Sequence, residues 1–280
     1  MLRTIAAMHA PDQMSPTARR ELVLVATLLV ALASLVAPAD AFLPAVLLPI
    51  VMLLAGIGVF GGDQAPSRPF DSLVLPAILT GGAAAAVHLI PPGLWLLVAL
   101  ALFALVLDRI VALEMGLVAQ PNAISDGDRA RVLGAAVATA FVAFTGVAAL
   151  VPGGMPDPGG TTAGTAGLSG TWLVVLALDD ALIALLLGFR ISALRYGSVR
   201  EASRSALTYA LVIAVAAGLI RAIDLPRLVG PAVLTLVFYL WDAQHGSAPA
   251  RRQERRFVWE MLLLGALAIV VVAWNLHLQG

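Results

Sequence analysis

Cysteine is absent from this chain of 280 residues, and so is lysine. The first absence excludes disulfides, thiolate metal sites, iron–sulfur clusters and Cys nucleophiles. The second excludes a Schiff base to a retinal or pyridoxal group and the lysine of a phosphate-binding loop. All 17 basic residues are therefore arginines. Charge of either sign is scarce, at 12% of residues, and the formal net charge is zero, so no basic field favours nucleic acid. What fills the chain instead is apolar. Hydrophobic residues make up 60% and the mean hydropathy is +0.95, far outside the averages of soluble domains. The composition is that of an integral membrane protein.

Crossing the hydrocarbon core takes roughly 20 apolar residues. Nine stretches meet or approach that length: residues 22–37, 41–60, 73–90, 94–113, 132–151, 171–192, 206–222, 229–241 and 257–275. The first and eighth are short, and the eighth needs either flanking residues or a re-entrant path. The expected fold is therefore an all-α, polytopic transmembrane helical bundle of about nine spans, eight to ten. An N-terminal segment, 1–21, lies in the cytoplasm, a single transmembrane domain covers 22–275, and a short tail, 276–280, lies outside. Arginine placement tests the count, because cytoplasmic loops carry the excess of positive charge. With the N-terminus inside, 15 of the 17 arginines fall on the cytoplasmic side and only Arg221 and Arg227 fall outside. Removing the eighth span would put the RRQERR cluster at 251–256 on the wrong side.

The beginning of the chain resembles a signal peptide: Arg19 and Arg20 precede an apolar run and small residues from Ala37 to Ala41. We read it as an uncleaved first span, since the other spans need membrane insertion in any case. The segment at 151–170 is rich in glycine and proline and has no arginine, as suits an extracytoplasmic linker. On the other side, Arg195, Arg200, Arg204, Arg251, Arg252, Arg255 and Arg256 are placed to contact anionic lipid headgroups, beyond their role in fixing topology.

Two short patterns copy enzyme signatures. Asp126-Gly127-Asp128-Arg129-Ala130-Arg131 resembles the opening of the CDP-alcohol phosphatidyltransferase signature. That family continues with a glycine and two metal-binding aspartates, where this chain has Ala140, Phe144 and Ala148, so a two-metal site cannot be built. Ser125 or Asp126 is expected to cap a helix there instead. Gly167-Leu168-Ser169-Gly170 resembles the nucleophile motif of rhomboid intramembrane proteases. No histidine on a later span can serve Ser169 as base, since His245 and His277 lie outside the spans. With both signatures broken, a membrane enzyme ranks third among the readings, and no metal or cofactor is expected.

The polar content of the spans is more informative. Asp179 and Asp180 lie near the middle of the sixth span, about 12 to 14 Å from its outer end at 1.5 Å per residue. An intramembrane acid is costly and marks a functional candidate. Arg221, near the outer end of the seventh span, can extend inward to meet one of them. The two carboxyls diverge by about 100° around the helix, so one pairs with Arg221 while the other lines a cavity or contacts another helix. His88, Asp224 and Arg227 are candidate peripheral members of this cluster.

Two functions fit. The first is a small permease-like transporter of a solute, ion or lipid in the plasma (inner) membrane, with Asp179 and Asp180 as coupling acids. The second is a non-catalytic structural or accessory subunit whose Asp pair locks helices or docks a membrane-protein partner. A dry, closed bridge at the pair favours the second, and a polar cavity reaching it favours the first.

Overall fold

The computed structural model describes residues 16–37, 40–60, 69–119, 125–151, 153–155, 170–223, 225 and 228–246, together with scattered positions between 255 and 273. Among the described residues the regular structure is entirely helical. It comprises α1 (Pro16–Ala33), α2 (Phe42–Phe60), α3 (Pro69–Ala86), a 3-10 turn (Val87–Leu89), α4 (Leu94–Ala119), α5 (Asp126–Leu150), α6 (Gly170–Ala193), α7 (Val199–Arg221) and α8 (Val229–Gly246). Five helical segments are long and apolar enough to cross a membrane: Asp71–Leu89, Leu94–Ala119, Asp126–Leu150, Gly170–Ala193 and Val199–Arg221. The others fall short for local reasons. Arg19, Arg20 and Glu21 take up the first turns of α1, the apolar part of α2 is Phe42–Ile57, and α8 ends in polar residues. The ninth expected stretch is described in part, and its described positions, 258–260, 262–266, 269, 270 and 273, are all helical.

The helices group into two compact units, Met1–Ala135 and Ala136–Gly280, with the division falling inside α5. In the first unit α2 and α3 pack through small residues. Pro49 has no N–H, so the carbonyl of Ala45 one turn earlier loses its helical partner. Gly81 of α3 approaches at that point: a β-carbon on it would stand 2.9 Å from the Ala45 oxygen and would collide with the Pro49 ring. Only glycine permits that contact. Val30, Ala33, Leu48, Ala84 and Val87 form an apolar core joining α1, α2, α3 and the turn, and Leu96, Leu100 and Phe103 of α4 pack on it. Arg19 of α1 pairs with Asp108 of α4 at 2.9 Å. Ser125 caps α5: its Oγ accepts from the Asp128 N–H at 3.1 Å, and the Asp128 carboxylate accepts from the Ser125 N–H at 3.1 Å, a reciprocal capping box.

In the second unit α6 and α7 form an antiparallel hairpin. Gly188 is the closest approach, for a β-carbon there would stand 2.8 Å from Cγ of Tyr209. One turn further along α6, the Ser192 Oγ–H donates to Ser205 Oγ at 2.9 Å. Ser198 caps α7 by accepting from the Glu201 N–H. The rings of Tyr209 and Phe238 meet at 5.4 Å and join α7 to α8. Ala148, Val151 and Leu176 join α5 to α6.

The faces of α7 show how the sequence sorts itself. Ala202, Ala206, Tyr209, Ile213, Ala217 and Arg221 are buried, whereas Leu207, Leu211, Val215 and Leu219 are exposed at every fourth residue. Small and polar residues face inward and large apolar ones outward. That is the reverse of a soluble helix and suits one bathed in lipid.

Candidate functional site

The inward stripe of α6 runs through Leu176, Asp180, Ala184, Leu187, Gly188 and Ile191. Its spacing of three and four residues is the helix repeat, and it carries Asp180 onto the face that meets α7. The register of the hairpin, with Tyr209 against Gly188 and Ser205 against Ser192, places Arg221 level with Leu176, one turn from Asp180. The long arginine side chain spans that turn. Its Nε donates to Asp180 Oδ2 at 3.1 Å, and its Nη2 donates to Oδ2 at 2.9 Å and to Oδ1 at 3.2 Å. Nη2 also donates to the carbonyl oxygen of Phe144 at 3.3 Å, which brings α5 into the bridge. Side-chain exposure is 4% for Arg221 and 0% for Asp180, so the pair is closed to solvent. An ion pair so enclosed holds because each charge satisfies the other, and removing one partner strands a charge.

Asp179 takes no part in the bridge. It is half-buried beside the exposed Leu178, and among the described residues no hydrogen-bond or ion-pair partner meets it. The structure therefore separates two adjacent acids: one is committed, and the other is left over. His88 stands in the 3-10 turn of the first unit, its Nε2 buried without a hydrogen-bond partner among the described residues. Asp224 and Arg227 lie outside the described residues.

A second polar cluster closes the other end of the hairpin. Just beyond α6, Arg195 donates from Nη2 to Asp242 Oδ2 at 2.8 Å and from Nη1 to Tyr209 Oη at 3.2 Å. The Tyr209 hydroxyl donates in turn to Asp242 Oδ1 at 2.6 Å. Asp242 is buried, and Gly246 lies so close to the Arg195 guanidinium that a β-carbon there would overlap it. Burial opposes the charge on Arg195, but the hydrogen bond and charge of Asp242 outweigh it and hold the guanidinium above the ordinary arginine value. The sequence placed Asp242 only at a span end and did not single out Tyr209. The available signal was a phenol on the small-residue face of α7, whose O–H needs a partner once buried.

Of the arginines expected at the headgroups, Arg195 is thus turned inward, while Arg200 and Arg204 are exposed on the first turns of α7. Arg255 is helical and exposed, and Arg251, Arg252 and Arg256 lie outside the described residues. The Asp126–Arg131 motif is spent on local pairs, Arg129 with Asp126 and Arg131 with Asp128. Ala140, Phe144 and Ala148 are core residues of α5, and Ser169 lies outside the described residues. Among the described residues, no three His, Asp or Glu side chains converge as metal ligands would. No family model, curated protein or solved structure matches the chain.

Proposed function

We propose that the chain is a multi-pass membrane protein that works as a structural or accessory subunit, with the Asp180–Arg221 bridge locking α5, α6 and α7 together. The observation that carries this reading is the closure of the bridge, with both charges buried and the guanidinium also bound to the Phe144 carbonyl. A coupling acid must exchange its proton or cation with water during each cycle, and a carboxylate held by two guanidinium nitrogens in a dry contact is poorly placed for that. In this reading the chain crosses a plasma (inner) membrane nine times with its N-terminus in the cytoplasm, as the arginine distribution supports. Arg200, Arg204, Arg251, Arg252, Arg255 and Arg256 then meet anionic headgroups, while Arg195 is held by Asp242.

One observation favours a second reading, a small permease moving a solute, ion or lipid: Asp179 has no partner among the described residues, and an unpaired carboxyl at mid-span can bind a proton or cation. Reconstitution separates the two. Vesicles carrying the protein are expected to hold a pH or solute gradient as long as empty ones do. Protein-dependent flux that disappears in Asp179→Asn or Asp180→Asn would overturn the accessory reading in favour of the permease.

A further inference from the structure

The α6 helix buries one aspartate and leaves the other at the edge of its outer face. Asp179 borders the stripe formed by Val174, Leu178 and Leu182, which are 56%, 63% and 53% exposed. It lies about 14 Å from Gly170 and about 21 Å from Ala193 along the axis, at 1.5 Å per residue, so it sits near the middle of the span. A carboxyl bordering the lipid at that depth keeps its charge only beside a positive partner, and without one it takes up a proton.

This chain does not supply that partner through the described helices around it. Arg221 is committed to Asp180, Arg190 is buried, and Arg200 and Arg204 lie at the opposite end of the hairpin. A second copy presenting the same face would bring another Asp179 and set like charges together, which is unfavourable where the dielectric is low. Charge complementarity therefore selects a different helix.

We infer that the outer face of α6 docks a transmembrane helix of another protein, one that carries a lysine or arginine at mid-span and pairs it with Asp179. This rests on the accessory-subunit reading and names the chemistry of the partner it requires. The apolar stripe supplies close packing, and the single acid supplies register and selectivity: an all-apolar helix gains nothing from it, and an acidic one is repelled.

A designed peptide tests this without knowledge of the natural partner. The full-length protein, labelled at a single engineered cysteine, is reconstituted in phosphatidylcholine vesicles with a fluorescent leucine–alanine transmembrane peptide bearing one central arginine. The control is the same peptide with leucine at that position. Energy transfer should report at least tenfold tighter association of the arginine peptide, falling to the level of the control in Asp179→Asn and in Asp179→Leu, both checked for unchanged helicity and thermal unfolding. Equal association of the two peptides, or an arginine preference that survives in both variants, would overturn the proposal. So would energy transfer between two labelled copies that the same variants abolish, because it would assign the face to self-association. Gradient dissipation is read in the same vesicles. Asp180-dependent flux with the arginine preference intact rejects the accessory reading and leaves the docking face standing; tight vesicles without the preference reject only the docking face.

Discussion

Arg221 and Asp180, 41 residues apart in sequence, meet through three hydrogen bonds of 2.9 to 3.2 Å from two guanidinium nitrogens to both carboxylate oxygens. The contact closes the α6–α7 hairpin at one end, as the Arg195–Asp242–Tyr209 cluster closes it at the other. Between them Gly188 lets the two helices come together against the Tyr209 ring.

Breaking the bridge from one side should cost more than removing it altogether. Asp180→Leu or Arg221→Leu alone leaves a buried charge and is expected to destabilise the protein by about 3–5 kcal/mol, while the double substitution recovers most of that loss. Denaturant titration in detergent micelles checks it. Additive single and double effects would show that the two side chains are not coupled.

Gly188→Ala places a methyl group against the Tyr209 ring, so either the ring or the helix must shift. The expected loss is about 1–3 kcal/mol, measured by thermal unfolding. Gly134→Ala, on a helix face where nothing lies within 4 Å of the added carbon, should be neutral or slightly stabilising and serves as the control. Equal behaviour of the two variants would argue against close approach at Gly188.

Tyr209→Phe removes the hydroxyl that donates to Asp242 at 2.6 Å and leaves that carboxylate oxygen unsatisfied. The cost should be about 1–3 kcal/mol, and Asp242→Asn should cost at least as much, because it strands the Arg195 charge. An unaltered melting temperature in both would remove the cluster from the account of stability.

The same cluster sets a pH dependence. Asp242 holds Arg195 above its ordinary value, so the stability it contributes is present below the unfolded-state value and is lost only as pH rises through the still higher folded one. The wild type should therefore keep this contribution through pH 11. Arg195→Lys substitutes a group that ordinarily titrates at about 10.4, and Asp242 is expected to hold its folded-state value above that, as it does for the arginine. The variant alone should therefore lose melting temperature as pH rises above about 10. Parallel curves for the two proteins would contradict the pairing.

Orientation is open to direct labelling, because the native chain has no cysteine. Single cysteines at Gly127 and Gly197 should be protected from an impermeant maleimide in intact cells, and one at Pro92 should react. The reverse pattern would invert the proposed topology.

Much of this was present in the residue order. Apolar length determined that the chain is helical and suited to a bilayer, since lipid offers no partner for an unpaired backbone group. Arginine asymmetry suggested an orientation, and an acid pair within an apolar run, facing an arginine near the end of the next span, picked out Asp179, Asp180 and Arg221 as candidates. The 100° step between neighbours already required that the two acids part company. Which acid would turn inward depended on the inward stripe of α6, and the reach of Arg221 on the hairpin register set by Gly188 and Ser192. Asp242, Tyr209 and Arg195 were less legible still, for they lie on three segments whose polar groups look like ordinary span-end residues until the helices pack. Helix formation and membrane preference are sums over local residues, so the sequence alone determines them. Pairing of buried charges depends on rotation and register between helices far apart in the chain, and only the tertiary structure decides it.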